Sequence, residues 1–378
     1  MKIFLSFLQS KIQHNISAYS FWEYYIKNGI VEAGHTWVEA EDVDWAYGLV
    51  PQTEESLLRW KSQVWEKTLL YLKANGADVF LSYLYPNQID EQAINEIKKM
   101  GVLSVNFFCD NVRNFKKIPK IFGVFDNNWV PEYKALAMYK KAGIPAMHLP
   151  MPMWVEPQYR KPLSIENGNL SFIGSRDIQR QLFFEDFFNE HTDLLIDIYG
   201  ATWLTNEEKP IQTKSSFTTK TINQLSFIKK FGLSAFINKL KSRQAFQPLS
   251  NQLKIMLKPK PNHADYIKIT RESNIVIGIN RYPSFRYPVS KPDSYSRLRD
   301  LEAPMLGACY LTEWTEGLDQ LYEIGKEIEV FTDTTSLKDK IEELNADALK
   351  RKQLRDNGQK RALNDHSIPV SLGKLLEA

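Results

Sequence analysis

The chain has 378 residues, of which 43% are hydrophobic and 25% charged, as in a globular protein long enough for two domains. Its net charge of +3 is too small to indicate nucleic acid as a partner. The two cysteines, Cys109 and Cys309, lie beside apolar runs, and the six histidines are scattered. The sequence therefore predicts buried thiols, and neither a disulfide scaffold nor a metal site.

The amino terminus begins with a short apolar run that reads as a buried strand. This run is shorter than the apolar part of a signal peptide, and no small-residue cleavage site follows it. No run in the chain approaches the roughly 18–20 apolar residues that span a membrane. The sequence predicts a cytoplasmic protein, which can still lie peripherally against the inner face of a membrane.

Short apolar runs alternate with longer amphipathic stretches in the first 150 residues, which predicts a parallel sheet covered by helices on both faces. Gly76 and Gly101 follow two of the amphipathic stretches, where helices commonly end. Strands are predicted at 2–7, 35–38, 77–83, 102–107 and 122–125, and helices at 54–74 and 91–99.

A second series of the same kind follows the proline-containing run 149–152, which interrupts regular structure. The predicted organisation is an N-terminal domain at 1–152, a linker at 153–168, a C-terminal domain at 169–364 and a closing helix at 365–378. Strands are predicted at 170–173, 194–199, 275–279, 308–312 and 328–331, and helices at 179–188, 266–272, 337–344, 346–364 and 370–378.

A basic segment at 205–262 interrupts this second series, with 11 lysines and arginines against two acidic residues. Its middle, 221–246, is compatible with a helix, although Lys229 and Gly232 interrupt the apolar face. Apolar residues near one helical face are Ile222, Leu225, Leu233, Phe236 and Leu240. Two interpretations are open: an inserted helical hairpin with a solvated basic face, or a surface for anionic lipid or a polyanionic acceptor.

The turn that follows the strand 170–173 carries the first candidate binding residues. Gly174 and Ser175 allow backbone to approach a ligand closely, and a helix is predicted to begin near Asp177. The free N–H groups of that helix form an anion site, and Arg176 and Arg180, four residues apart, can share one face over a diphosphate. The alternative is a pair of surface arginines. The turn lacks the GxGxxG pattern of dinucleotide-binding proteins.

A second candidate group lies before the strand 308–312. Arg299 and Glu302 are three residues apart, so one helical turn places them side by side. Pro304 is best tolerated in a first turn, which predicts that Glu302 lies near a helix N-terminus. A carboxylate there can accept hydrogen bonds from both hydroxyls of a ribose. The alternative is a surface ion pair with a capping role.

The segment 297–333 resembles the C-terminal signature of the CgeB-type glycosyltransferases, a family named after a spore-maturation protein. The matching residues there are Arg299, Glu302, Gly307, Ala308, Gly325, Lys326 and Glu327. The opening strand of the family is similar to Phe172, Gly174, Ser175 and Arg180, and the segments 197–203 and 357–366 also fit. The resemblance covers most of 170–366 apart from the basic segment.

This resemblance implies the GT-B fold, an α/β architecture of two Rossmann-like parallel-sheet domains that face each other across a cleft. A nucleoside diphosphate sugar would bind to the C-terminal domain, with Glu302 at the ribose, Arg176 and Arg180 at the diphosphate, and Arg299 assisting either. Related retaining enzymes often carry a second glutamate eight residues before the one that binds ribose. Ser294 occupies that position here, so the stereochemistry stays open.

The acceptor side is predicted at the carboxyl edge of the first sheet, where open sheets bind ligands. Asp110 and Asn111 follow the strand 102–107, and His14 and Asn15 follow the first strand. Either Asp110 or His14 can accept the proton of an acceptor hydroxyl, and either can instead have a structural role in its loop.

The sequence thus predicts a metal-independent glycosyltransferase with no cofactor other than its nucleoside diphosphate sugar. Its acceptor is expected to be a glycan, a lipid-linked glycan or a surface-polymer precursor. Two alternatives stay open: a catalytically silent GT-B protein that binds a nucleotide or a partner in an envelope or coat assembly, and a sugar-nucleotide epimerase.

Overall fold

The computed structural model describes residues 1–14, 20–163, 165–204, 232–245 and 247–377. The chain folds into two compact units. The N-terminal unit comprises Met1–Pro157 together with Arg361–Ala378, and the C-terminal unit comprises Gln158–Lys360. The end of the chain therefore returns to the unit in which the chain begins.

The N-terminal unit is built on a sheet of six parallel strands in the order β2-β1-β3-β4-β5-β6. Every residue of β3 is buried, and so are most residues of β1 and β4. This burial explains why the central strands read as continuous apolar runs. The strands are β1 (Lys2–Ser6), β2 (Thr36–Val38), β3 (Val79–Ser82), β4 (Leu103–Phe107), β5 (Asn127–Val130) and β6 (Met147–His148).

The predicted strand at 122–125 is wrong. Lys120–Val124 forms a 3₁₀ helix, and the strand of this region is β5. Its first two residues are asparagines, so β5 has no apolar pattern that the sequence could reveal. Asn128 is buried, and its Nδ2 donates to the carbonyls of Phe122 and Pro145 at 3.0 and 2.9 Å. These bonds satisfy the amide donor of a polar side chain that is buried in the sheet.

The C-terminal unit has a second sheet of six parallel strands in the order β12-β11-β10-β7-β8-β9. This is the strand order of a Rossmann fold, in which the chain reverses its direction of travel across the sheet between β7 and β10. Its strands are β7 (Leu170–Ile173), β8 (Asp197–Tyr199), β9 (Leu257–Lys258), β10 (Ile275–Gly278), β11 (Tyr310–Glu313) and β12 (Glu329–Phe331).

Helices connect the strands of both sheets. Those before the second sheet are α1 (Ser20–Glu32), α2 (Glu54–Asn75), α3 (Glu91–Lys99), α4 (Asn111–Asn114) and α5 (Tyr133–Ala142). Those that follow are α6 (Ile178–Glu190), α7 (Leu233–Ala245), α8 (Asn251–Met256), α9 (His263–Glu272), α10 (Arg299–Met305), α11 (Leu318–Leu321), α12 (Thr334–Ala346), α13 (Ala348–His366) and α14 (Ile368–Leu376). Of the predicted basic helix 221–246, residues 221–231 and 246 lie outside the described residues.

The segment after Gln158 is fixed to the C-terminal unit by buried arginines. Arg271 donates to the carbonyls of Tyr159 and Lys161 at 2.6 and 2.7 Å. Glu166 pairs with Arg351 at 2.6 Å and with Arg355 at 3.3 Å. These charge-assisted bonds explain why this part of the predicted linker is ordered on the second sheet's unit.

The docking of α14 against α1 in the N-terminal unit depends on Gly29. A Cβ atom at Gly29 would lie 2.4 Å from Cγ2 of Ile368, which is fully buried. We expect Gly29→Ala to lower the free energy of unfolding by about 1–3 kcal/mol, because the core is overpacked. The measurement is urea unfolding of the full chain.

Gly373→Ala is the matched control for this prediction. Gly373 lies in α14, and a Cβ there would have no neighbour within 4 Å. The control should therefore be neutral or stabilising by up to about 1 kcal/mol, because alanine favours helix. If the two substitutions change the free energy of unfolding equally, close packing of Gly29 against Ile368 is contradicted.

Candidate functional site

The candidate site lies at the carboxyl ends of β7 and β10, where an open parallel sheet binds ligands. Gly174 begins the turn after β7, and a Cβ there would lie 2.7 Å from the Phe172 ring and 3.1 Å from Nη1 of Arg180. The loop after β8 holds this turn: the Gly174 N–H donates to Tyr199 O at 2.8 Å, and Trp203 Nε1 donates to Gly174 O at 2.7 Å. The turn is therefore a fixed backbone platform.

Two of the N–H groups that were predicted to be free at the start of α6 have a partner in the structure. Asp177 caps this helix, and its Oδ1 accepts from the N–H groups of Gln179 and Arg180 at 2.9 and 3.0 Å. The capping carboxylate also carries a negative charge that repels an anion. The side chains near this turn are therefore the remaining candidates for the predicted contact with an anion.

Arg176 and Arg180 have different partners. Arg176 donates through Nε and Nη2 to Oε1 of Gln181 at 3.1 and 2.9 Å. Arg180 donates through Nη1 to the carbonyl of Ser175 at 2.7 Å, and its guanidinium lies 5.6 Å from the Phe172 ring. The Arg180 side chain is 14% exposed, so its charge is largely removed from water.

Three arginines form the cationic part of the site: Arg180, Arg297 and Arg299. The Nε atoms of Arg180 and Arg297 are buried and have no hydrogen-bond partner. Burial, together with the positive charges of Arg297 and Arg299, lowers the pKa of Arg180 to about 10, although Asp177 opposes this shift. We call these three residues the arginine cluster. Buried donors without partners and mutually repelling cations are stabilised by a bound anion.

Glu302 supplies the carboxylate of the site, and it is 5% exposed. Its Oε2 accepts from the Tyr266 hydroxyl at 2.5 Å and lies 3.3 Å from Nη1 of Arg299. The predicted side-by-side placement of Arg299 and Glu302 is thus confirmed. The Arg299 guanidinium also lies over the Tyr266 ring at 4.5 Å and donates to the Ile173 carbonyl at 3.4 Å, which connects α10 with α9 and with the end of β7.

The predicted position of Pro304 in a first helical turn is wrong, because Pro304 lies near the end of α10. Proline has no N–H, so the carbonyl of Asp300, four residues earlier, loses its helical donor. The hydroxyl of Tyr322 replaces it and donates to Asp300 O at 2.8 Å. Tertiary structure therefore compensates for the proline in this short helix.

A buried polar network positions α10 and the arginine that precedes it. The Asp300 carboxylate is fully buried and accepts from Tyr310 Oη at 2.7 Å, Thr312 Oγ1 at 3.0 Å and the Arg297 N–H at 2.9 Å. Burial raises the pKa of Asp300. A Cβ at Gly278 would lie 2.2 Å from the Tyr310 hydroxyl, so a glycine in β10 leaves room for the network.

A second carboxylate fixes the backbone immediately after β10. Glu313 accepts from the N–H groups of Asn280 and Arg281, both at 3.0 Å, and its Oε1 lies 2.6 Å from Nη2 of Arg281. The Arg281 carbonyl in turn accepts from Nη2 of Arg297 at 3.0 Å. The arginine cluster is thus held by the loop after β10.

Comparison with models of protein families shows the family to which the chain belongs. The family model described as "Glycosyl transferase-like" matches residues 180–377, more than half of the sequence. The chain belongs to this glycosyl transferase-like family. The matched region includes the arginine cluster and Glu302. The finer CgeB-type resemblance stays a prediction. A search of curated proteins gives no match to this sequence.

Solved structures show the fold. A glycosyltransferase from Rickettsia africae ESF-5 is 12% identical, with a TM-score of 0.60 over 100% of this chain and 97% of that one. Sucrose-phosphate synthase from Thermosynechococcus elongatus is 11% identical, with a TM-score of 0.58 over 100% and 98%. HepE from Anabaena, in complex with UDP, is 13% identical, with a TM-score of 0.56 over 100% and 98%. The chain has the two-domain, Rossmann-like GT-B fold.

The sequence missed several residues that build this site. Arg297 lies two residues before Arg299 in the same Ser-Arg-Leu-Arg run, so its proximity was a usable signal. Tyr266 gives no such signal, because it lies on a separate helix whose position depends on the sheet order.

The two predicted acceptor-side residues lie at the carboxyl edge of the first sheet. His14 follows β1, and its Nε2 is 2.7 Å from Oδ2 of Asp44. The His14 side chain is 11% exposed. An aspartate in this position orients an imidazole ring. Asn15 lies outside the described residues.

Asp110 precedes α4 and has a backbone φ of 67°, a left-handed conformation that aspartate tolerates better than most residues. Fully buried Glu132, which follows β5, accepts from the N–H groups of Asn111 and Val112 at 2.6 and 3.2 Å. Glu132 thereby fixes the chain just after Asp110. Burial, opposed by these bonds and assisted by the charge of Asp110, raises the pKa of Glu132 to about 8.

Glu132 should make the stability of the protein depend on pH. Its folded-state pKa of about 8 lies above the ordinary value of 4.5, so between these values the folded state holds a proton that the unfolded state has lost. Stability therefore falls as pH rises through this window, by up to about 1.4 kcal/mol per pH unit, and levels off above the folded-state pKa. We expect Glu132→Gln to flatten this slope, measured as urea unfolding at a series of pH values.

Glu316→Gln is the control, because Glu316 is exposed. It should keep the slope of the wild type between pH 6 and 8. If Glu132→Gln also keeps that slope, Glu132 titrates as an ordinary exposed carboxylate and the argument from burial fails.

Three further findings concern the described part of the chain. It contains no group of three or more histidine, cysteine, aspartate or glutamate side chains arranged to hold a metal ion. No helix within it is long and apolar enough to cross a membrane. Cys109 and Cys309 are both buried free thiols, as predicted.

Proposed function

We propose that the chain transfers a sugar from a nucleoside diphosphate sugar to a hydroxyl of a glycan or of a lipid-linked or surface-polymer precursor. Family and fold support glycosyl transfer. The observation that carries the finer proposal is the arginine cluster. Its two buried Nε donors have no hydrogen-bond partner, although Nε of Arg180 lies 3.6 Å from Oδ2 of Asp177, and Arg180 is repelled by Arg297 and Arg299. A diphosphate would satisfy the donors and neutralise the repulsion.

The proposed reaction uses this cationic site to stabilise the leaving group. The acceptor oxygen bonds to the anomeric carbon as the bond from that carbon to the diphosphate oxygen breaks. The departing diphosphate gains negative charge, which Arg180, Arg297 and Arg299 would stabilise more strongly than they stabilise the ground state. Guanidinium groups would thus supply the positive charge that a metal ion supplies in other transferases.

Glu302 is proposed to accept hydrogen bonds from the ribose hydroxyls of the donor. Tyr266 and Arg299 hold the Oε2 atom of this carboxylate in place. The neighbour HepE was solved in complex with UDP, which supports a nucleoside diphosphate as the ligand. The predicted contact of Arg176 with the diphosphate also stays a proposal.

The proton of the acceptor hydroxyl is proposed to pass to Asp110 or His14. His14 has the support of Asp44, and Asp110 has a backbone held by Glu132. Separate His14→Gln and Asp110→Asn variants distinguish the two. The base is the residue whose loss lowers kcat without weakening binding of the donor.

The test of the proposed function is turnover. The full chain is incubated with UDP-, GDP-, ADP-, CMP- and dTDP-sugars, and the released nucleotide and the sugar products are measured with and without glycan acceptors. Release that depends on an acceptor supports transfer. Conversion of the donor sugar without an acceptor indicates an epimerase instead.

Nucleotide binding without any turnover would indicate the catalytically silent alternative. One observation favours that alternative: Ser294 occupies the place of a second glutamate, and its hydroxyl donates to Thr315 Oγ1 at 3.0 Å. The side chain at this position thus has a partner within the protein.

A further inference from the structure

Helix α7 turns an apolar face outward. Leu233, Ile237 and Leu240 are 62%, 44% and 44% exposed. Their spacing of four and three residues places them in one stripe along the helix. A surface helix of a globular protein normally buries such a stripe, so this orientation is the reverse of the usual one.

The opposite side of α7 fixes the helix to the C-terminal unit. Ala235 is 1% exposed, and Nδ2 of Asn238 donates to the Phe285 carbonyl at 3.1 Å. A small residue and a polar residue thus make intramolecular contacts on this side of the helix. The apolar stripe is left as a surface of the described structure.

Positive charge borders this stripe. The sequence of α7 contains Lys239, Lys241 and Arg243 and no acidic residue. Lys241 is exposed and follows Leu240 directly. The surrounding segment 205–262 has 11 basic and two acidic residues. An apolar stripe flanked by lysine is typical of helices that lie in the interface of an anionic membrane.

An exposed aromatic ring lies next to the helix. Phe285 is 43% exposed, and Nζ of Lys239 lies 5.6 Å from the centre of its ring. Tyr287, two residues further along the chain, is 38% exposed. Aromatic side chains favour the boundary between lipid and water, so Phe285 adds to the same surface.

We propose that the exposed face of α7, formed by Leu233, Ile237 and Leu240, docks on an anionic lipid bilayer. The apolar stripe would enter the headgroup region, and Lys241 would contact anionic headgroups. Charge complementarity favours a bilayer over a second copy of the chain, because two equally basic faces repel each other. This inference rests on the surface of α7 and is independent of the transferase reaction.

Co-sedimentation of the full chain with vesicles tests the proposal. Vesicles of phosphatidylglycerol and phosphatidylcholine are compared with vesicles of phosphatidylcholine alone, at low and high salt. The wild type should bind the anionic vesicles, and salt should weaken that binding. Ile237→Ser and Lys241→Glu should each weaken it at least about tenfold, because each removes one of the two contributions.

Leu349→Ser is the matched control, because Leu349 is 75% exposed on α13 in the same unit. It should bind vesicles as the wild type does. Thermal unfolding and nucleotide titration of all variants verify that the fold and the candidate site persist, so failure of docking and failure of the proposed function are distinguishable.

Three results would overturn the inference. Equal binding to neutral and anionic vesicles would remove the role of charge. Binding to dextran sulfate that competes fully with vesicles and is insensitive to Ile237→Ser would indicate a polyanion surface. A dimer in solution that Ile237→Ser dissociates would show that a second copy covers the face.

Discussion

Replacing Arg180 with methionine should stabilise the ligand-free protein and at the same time weaken nucleoside diphosphate binding by about 100-fold. Methionine keeps the apolar contact with Phe172 but removes a buried charge that Arg297 and Arg299 repel. The lowered pKa of Arg180 reflects that repulsion and the loss of hydration. We expect a gain of about 1 kcal/mol in the free energy of unfolding, after the lost bond to the Ser175 carbonyl and the lost ion pair with Asp177 are counted.

The two parts of this result are measured separately, by urea unfolding without ligand and by calorimetric titration of nucleoside diphosphates. Arg59→Met is the control, because Arg59 is an exposed residue of the N-terminal unit whose partner is Glu55. It should change neither quantity. A structural arginine would give the opposite pattern at Arg180, with lower stability and unchanged affinity.

Replacing Glu302 with glutamine should weaken binding of the same nucleotide by at least about 100-fold, since a charged acceptor for two hydroxyls is lost. The substitution also removes the charge that pairs with Arg299 and accepts from Tyr266. Glutamine preserves the size of the side chain, so the surrounding helix should persist.

The control for the Glu302 prediction is a change in the ligand, from the ribonucleotide to its 2′-deoxy form. The wild type should bind the ribonucleotide about tenfold more tightly than its 2′-deoxy form, whereas Glu302→Gln should not distinguish the two. If the variant binds both forms more weakly but keeps the preference for ribose, Glu302 acts by positioning Arg299 and does not contact the sugar.

The sequence predicts an element or a contact correctly where a single physical requirement determines it. Strands buried on both faces are apolar runs, so 170–173 was predicted with the bounds of β7. The Arg299–Glu302 pair followed from helical spacing alone. Strand β5 was missed because Asn128 is polar and is accommodated in the sheet by bonds from its Nδ2 to distant carbonyls, which a local pattern does not reveal.

The arginine cluster could not be predicted as a unit. Arg180 follows β7 and Arg297 precedes α10, more than 100 residues later in the chain, and the sheet order makes β7 and β10 neighbours. The capping role of Asp177 was available from the sequence, because aspartate is a preferred N-cap residue. Recognising it would have moved the predicted anion site from the helix end to the side chains.

The burial of Glu132 could not be predicted from the sequence, because it depends on tertiary packing. A glutamate beside a proline reads as a surface residue, yet it is fully buried under the N-terminus of α4. Only the packing of β5 against β4 brings it to Asp110. Its effect on the pH dependence of stability is therefore a property of the fold.

The most direct test of the central claim is calorimetric titration of the full chain with UDP, GDP, ADP, CDP and dTDP, each compared with its parent nucleoside. If the arginine cluster binds a diphosphate, one nucleotide should bind at least about 100-fold more tightly than its nucleoside. If every diphosphate binds no better than its nucleoside, or none binds at millimolar concentration, the cluster is not a diphosphate site and the proposed donor site is contradicted.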